Sequence, residues 1–217
     1  MKYFFENNKG YRLSSRLITP DSEGHFACVV FSHGFDSSKD SPRSVPLAEK
    51  LAEHGIASFL IDFTGHGESQ GLKTDSTIEQ QTLDLESALD FAGGLEQVDE
   101  NRLALHGSSS GSLVALNLCL TDDRPVTAVL RAPRTNSYYP AVREKIEKLT
   151  LPLLFIQGEL DPLIEQTSEF MSLLRSESLL TMIPGADHLF TDPTHLRQVI
   201  DLSVNWFDDK LSMKEAA

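Results

Sequence analysis

Short apolar runs alternate with stretches of helical periodicity along most of this chain, and that alternation confines it to few folds. Phe26–Ser32 is continuously apolar, as a strand covered on both faces must be. Ile56–Asp62, Leu103–His106, Val126–Leu130, Leu153–Gln157 and Leu179–Ile183 repeat the pattern, and Tyr11–Ile18 alternates as an earlier strand. Helical spacing fills the intervals. Val45, Leu47, Ala48, Leu51 and Ala52 mark a helix that Gly55 ends. Ile78, Leu85, Leu89 and Ala92 form one face of the next, with Ser76 and Glu79 as its expected capping box and Gly93-Gly94 as its stop. Ser110–Leu120 and Ile164–Arg175 follow, and Asp192-Pro193 opens a final helix bearing Leu196, Val199, Ile200, Ser203 and Phe207. Strands alternating with helices predict an α/β fold: a mostly parallel sheet with helices on both faces. No repeat and no long linker divides the chain, so one domain over 1–217 is expected.

With 217 residues, of which 40% are hydrophobic, the chain buries enough surface to need no disulfide or metal staple. Its two cysteines, Cys28 and Cys119, lie in apolar runs and read as buried, reduced thiols. Nineteen Lys and Arg against 32 Asp and Glu leave a net charge of −13, which disfavours nucleic acid and anionic lipid as partners. The opening MKYFFENNKG is too short in apolar residues for a secretory signal, and no run approaches a membrane span. A cytoplasmic protein without a membrane partner is expected; the oligomeric state is not legible.

In a sheet of this kind, ligands bind beyond the carboxyl ends of the strands, so chemistry belongs to the residues that follow each strand. Leu103–His106 runs into Gly107-Ser108-Ser109-Ser110-Gly111 and then a helix. G-x-S-x-G in a strand-turn-helix setting holds its central serine exposed on a strained turn, which makes Ser109 the candidate nucleophile. A serine hydroxyl needs a base, and the base needs an orienting acid. Asp161 and His188 each follow a later strand, giving the chain order Ser109, Asp161, His188. Of seven histidines, only His188 follows the last strand. Asp187 adjoins it, but neighbouring side chains on an extended loop point apart; Glu159 stays open as an alternative acid. The run Phe26–Ser32 ends in His33-Gly34-Phe35, so the backbone N–H groups of Phe35 and Ser110 are candidate oxyanion donors.

These blocks, HGF at 33–35, DFTGHGES at 62–69, GSSSG at 107–111, GELDPLI at 158–164 and GADHLF at 185–190, resemble the α/β-hydrolase superfamily. The chain is most similar to its small bacterial esterase and serine-aminopeptidase-like branch. The resemblance implies an eight-stranded sheet with its second strand antiparallel. It also implies a cofactor-free, two-step acyl transfer on a small-molecule acyl substrate. Two departures stand out. Related sequences often read D-x-R-G-x-G-x-S where this one has Thr64 in place of the arginine, so a charged contact of that loop is expected to be missing. Many relatives insert a helical cap where this chain has only residues 131–152, which predicts a short residual cap and an open site.

Arg131, Arg134 and Tyr138 leave a strand at the catalytic edge and are candidate substrate-binding residues. Either arginine can hold a carboxylate bidentately, or each can form a surface salt bridge in this acidic chain. The G-x-G-x-x-G spacing fails and no H-E-x-x-H is present, which disfavours dinucleotide binding and a metal hydrolase. A serine hydrolase, carboxylesterase-like, is the reading of choice, with thioesterase, acyltransferase, amidase or peptidase chemistry open to the same three residues. A non-catalytic binding module on the same fold is the rival from another class.

Overall fold

The computed structural model describes residues 1–135 and 143–212, and only the backbone of 143 and 144. Eight strands form one sheet: β1 (Lys2–Glu6), β2 (Arg12–Ile18), β3 (Phe26–Ser32), β4 (Ala57–Ile61), β5 (Val98–Ser108), β6 (Pro125–Arg131), β7 (Leu153–Gly158) and β8 (Ser178–Ile183). Their spatial order is β1-β2-β4-β3-β5-β6-β7-β8. The second strand runs antiparallel to β1 and β4, and every pair from β4 to β8 is parallel.

Six helices cover the sheet among the described residues: α1 (Val45–Glu53), α2 (Ile78–Gly93), α3 (Ser110–Cys119), α4 (Arg143–Lys148), α5 (Ile164–Met171) and α6 (Pro193–Leu211). Alternate strand residues face opposite sides, so the sheet feeds two cores. Val30, Phe59, Leu105, Leu130 and Phe155 pack with residues of α2, α3, α4 and α5. Val29, Phe31, Leu60, Val129 and Ile156 pack with residues of α1 and α6. Both cysteines are buried and unpaired. No helix of the described residues is long and apolar enough to cross a membrane.

The first strand is absent from the sequence expectation. It is a five-residue edge strand whose one buried side chain is Phe5. The cap of α2 also differs by one residue. Thr77, not Ser76, accepts the Gln80 N–H, while the Ser76 hydroxyl meets Gln81 Nε2. The helix expected over 164–175 ends at Met171. Within the expected cap segment, α4 buries Ile146 in the same core as Val30 and Phe155.

Candidate active site

The elbow between β5 and α3 is built from close approaches that only glycine allows. A Cβ at Gly107 would stand 2.5 Å from Ser112 Cα, and one at Gly111 would stand 2.2 Å from Ser32 O. Strand, turn and helix therefore interlock, and Ser109 between them takes φ 53° and ψ −118°. Left-handed φ at a non-glycine residue costs about 1–3 kcal/mol and persists where surrounding contacts impose it. Here they do: the Ser109 N–H donates to Arg131 O at 2.9 Å, and the Ser109 carbonyl accepts the Ser112 N–H at 3.0 Å.

That strain turns the Ser109 side chain toward the loop after β8. Its Oγ lies 3.0 Å from His188 Nε2, and His188 Nδ1 lies 2.8 Å from Asp161 Oδ2. The other Asp161 oxygen accepts the Leu163 N–H at 2.9 Å, so both carboxylate oxygens are engaged. Asp161 is buried and His188 is 26% exposed on its side chain. Burial alone would raise the Asp161 pKa. The His188 and Leu163 hydrogen bonds outweigh it and hold the carboxyl below its ordinary range. In neutral His188 the Nδ1–H then donates to Asp161, which leaves Nε2 to accept from Ser109.

The two rival acids are occupied elsewhere. Asp187 accepts both the N–H and the hydroxyl of Thr191, and Glu159 accepts the Gly185 N–H at 2.8 Å. Each fixes the loop that carries His188 without touching its ring. The remaining histidines are also placed apart from Ser109. His33 donates from Nδ1 to Gly34 O and accepts the Phe63 N–H at Nε2, and burial pushes its pKa down to about 4. It is a neutral strut for the loop after β3. His66 bonds the Thr64 carbonyl, His54 meets Asp208, and His106 lies within β5.

The loop after β3 lies against the elbow. A Cβ at Gly34 would be 3.4 Å from Ser109 Cβ. Neither the Phe35 N–H nor the Ser110 N–H meets an acceptor among the described residues. For Ser110 the reason is positional, because the first N–H groups of a helix have no partner within it. The Phe35 side chain is 81% exposed, and Leu160 and Leu189, beside Asp161 and His188, are exposed as well. The serine edge therefore carries an apolar rim.

The sequence-predicted substrate residues separate. Arg134 is exposed, and its guanidinium meets no carboxylate among the described residues. Its N–H donates to Ser112 Oγ, which donates onward to the Ser109 carbonyl, so it sits one turn from the elbow. Arg131 departs from both of its expectations. It is only 5% exposed, which keeps its side chain from the pocket surface, and it forms no salt bridge among the described residues. Tyr138 lies outside the described residues.

Sequence reasoning missed the residues that lock the loop after β4. Asp62 is fully buried and accepts the Lys39 N–H at 2.7 Å, Lys39 Nζ at 3.0 Å and the Glu68 N–H at 3.0 Å. Lys39 lies in a polar loop with no pattern to mark it, yet it supplies that loop's buried cation. Thr64 itself contacts Asp84 through its N–H and its hydroxyl. Asp84, buried on α2, is satisfied by neutral donors from Asn7, Thr64 and Gln80.

An eight-stranded sheet with its second strand antiparallel and a strained serine elbow after β5 defines an α/β-hydrolase. The chain belongs to the family described as serine aminopeptidase, S33, whose model matches residues 23–141. A dienelactone hydrolase from Anabaena variabilis ATCC 29413 superposes with a TM-score of 0.83 at 26% identity, over 98% of this chain and 99% of that one. Est1E from Butyrivibrio proteoclasticus, with ferulic acid bound, shares the fold at a TM-score of 0.86 and 19% identity, over 97% and 100% of the two chains. A putative phosphoribosyl transferase of Mycobacterium tuberculosis (strain ATCC 25618 / H37Rv) is 31% identical over 188 residues, 84% of this chain. The chain spans only 41% of that relative's length.

Proposed function

We propose that this hydrolase cleaves small carboxylic esters through an acyl-enzyme, with Ser109 as nucleophile, His188 as base and acid, and Asp161 as the orienting carboxylate. One observation carries the reading: the relay from Ser109 Oγ to His188 Nε2 at 3.0 Å and from His188 Nδ1 to Asp161 at 2.8 Å, rooted in a strained elbow. His188 takes the Ser109 proton as Oγ attacks the ester carbonyl. The tetrahedral oxyanion accepts from the N–H groups of Phe35 and Ser110, which meet no acceptor among the described residues. Losing one such donor typically costs about a hundred- to a thousandfold in rate. Protonated His188, held by Asp161, gives its proton to the leaving alcohol. Water then enters, His188 takes its proton, and the acyl group leaves Ser109.

An ester of modest size fits what surrounds the relay. The exposed rim of Phe35, Leu160 and Leu189 suits an apolar acyl or aryl group. The dienelactone hydrolase matches almost end to end, which supports a compact hydrolase of similar extent. Arg134, exposed one turn from Ser109 and without a carboxylate partner among the described residues, suits a carboxylate on the substrate. A fluorophosphonate probe tests the reading. Labelling at Ser109 that is lost in Ser109→Ala is expected, whereas an unlabelled native chain would make the fold a binding module.

A further inference from the structure

Beneath the elbow lies a charge that the acyl-transfer scheme does not use. Arg131 ends β6 in register with Ser108, and its Nη2 donates to Ser108 Oγ. Its main-chain carbonyl accepts the Ser109 N–H at 2.9 Å, so one residue grips both halves of the elbow. Among the described residues its Nε is buried without a partner, and no carboxylate meets the guanidinium. The neighbouring group is His106 on β5, buried, with neither ring nitrogen hydrogen-bonded among the described residues. Burial and the adjacent guanidinium keep that imidazole neutral, with its pKa pushed down to about 3. The charge that acts on Arg131 besides is Arg43, also a cation.

A buried guanidinium is ordinarily matched by a carboxylate, because an uncompensated buried charge is strongly destabilising. Here the titratable neighbours named above are one neutral imidazole and one cation, in a chain whose net charge is −13. A fixed positive charge is favourable where negative charge develops during reaction. We propose that Arg131 is a positioning residue for the acyl-transfer site: its grip on Ser108 and Ser109 sets the elbow, and its unpaired charge favours the oxyanion formed on attack by Ser109. This rests on the serine-hydrolase reading. It predicts that the charge matters to the tetrahedral state and not to ground-state binding.

The test uses the full chain with Arg131→Lys, Arg131→Gln and Arg131→Met. Ester kcat and KM, the rate of fluorophosphonate labelling at Ser109, and the affinity of an arylboronic acid, which forms a tetrahedral anion on serine, are measured together. A unit charge roughly 6–12 Å from a developing charge is worth about a ten- to hundredfold change at protein dielectric. The Gln and Met variants are expected to lose that much in kcat, labelling and boronate affinity, with KM nearly unchanged, while Lys recovers most of it. Gln as active as the wild type, or Lys as impaired as Met, would overturn the role of charge. If the neutral variants do not fold, His106→Glu brings a carboxylate to the guanidinium. Slower labelling at an equal or higher Tm is then expected, and wild-type labelling would overturn the inference. A wild-type chain that takes no probe at Ser109 would overturn the hydrolase reading and this inference with it. Fast labelling of wild type and Arg131→Gln alike would overturn the inference alone.

Discussion

Gly111→Ala is the substitution whose consequence the geometry sets most tightly. Its Cβ would stand 2.2 Å from Ser32 O and 2.4 Å from His33 O, where ordinary contact begins at 3.4 Å. Both obstacles are main chain at the end of β3, so no rotamer change relieves the overlap. The backbone itself has to move by about an ångström. Overpacking a close-packed site costs typically about 1–3 kcal/mol, and the upper end applies where the neighbours cannot turn aside. For a chain of this length that lowers Tm by roughly 6–12 °C. The damage does not stop at stability. Gly111 is the second residue of α3, directly after the Ser110 N–H and two residues after Ser109. A misplacement of about 1 Å at reacting groups costs on the order of a hundredfold in rate. Calorimetry and ester turnover on the purified variant check both effects. Gly93→Ala is the control, because its Cβ would meet nothing nearer than 3.7 Å and Ala is the better helix former. It should keep full activity and an equal or higher Tm. If Gly111→Ala kept its Tm within about 2 °C and its turnover within about threefold, the interlocked elbow would be the wrong account of how Ser109 is held.

Asp161→Asn preserves the shape of the acid but not its charge, and should lower kcat by roughly a thousand- to ten-thousandfold with the fold retained; a loss under about tenfold would remove Asp161 from the relay. His33 and His106 stay neutral in the folded chain down to about 4 and about 3, against 6.5 in the unfolded one. The unfolded chain therefore binds more protons below pH 6.5, and stability falls as pH drops from there toward the folded values. In His106→Leu the stability lost between about pH 7 and pH 4.5, read from urea unfolding, should shrink by about 2–3 kcal/mol; an unchanged loss would contradict the buried neutral imidazole. Arg134→Ala should lower kcat/KM for carboxylate-bearing esters by about tenfold relative to neutral ones, and an unaltered ratio would sink its role as an anion contact.

What the sequence made legible follows from where each signal resides. The strands β3, β4, β6 and β7 announce themselves because burial on both faces demands unbroken apolar runs, and the edge strand β8 keeps a short apolar run of its own. Ser109, Asp161 and His188 stand out because each follows such a run, and the structure brings all three within hydrogen-bonding distance in series. The first strand left little trace, since an edge strand of five residues buries only Phe5 and resembles a frayed end. Ser76 and Thr77 offer the same capping chemistry, and only the geometry of the turn selects Thr77. Lys39 and Arg131 were opaque for a different reason. Charged residues are read as exposed by default, and neither periodicity nor spacing shows that a tertiary fold has closed over them. Both hold the loops around Ser109, one with acids to match and one without.

The central claim is that Ser109 carries the acyl group between two chemical steps. Rapid quench of the chain with a chromogenic short-acyl ester, followed by intact-mass and peptide analysis, tests it directly. The account predicts a burst of alcohol approaching one equivalent, an added acyl mass on the peptide bearing Ser109, and neither in Ser109→Ala. Ester turnover at the wild-type rate in Ser109→Ala, or an acyl adduct on another residue, would contradict it.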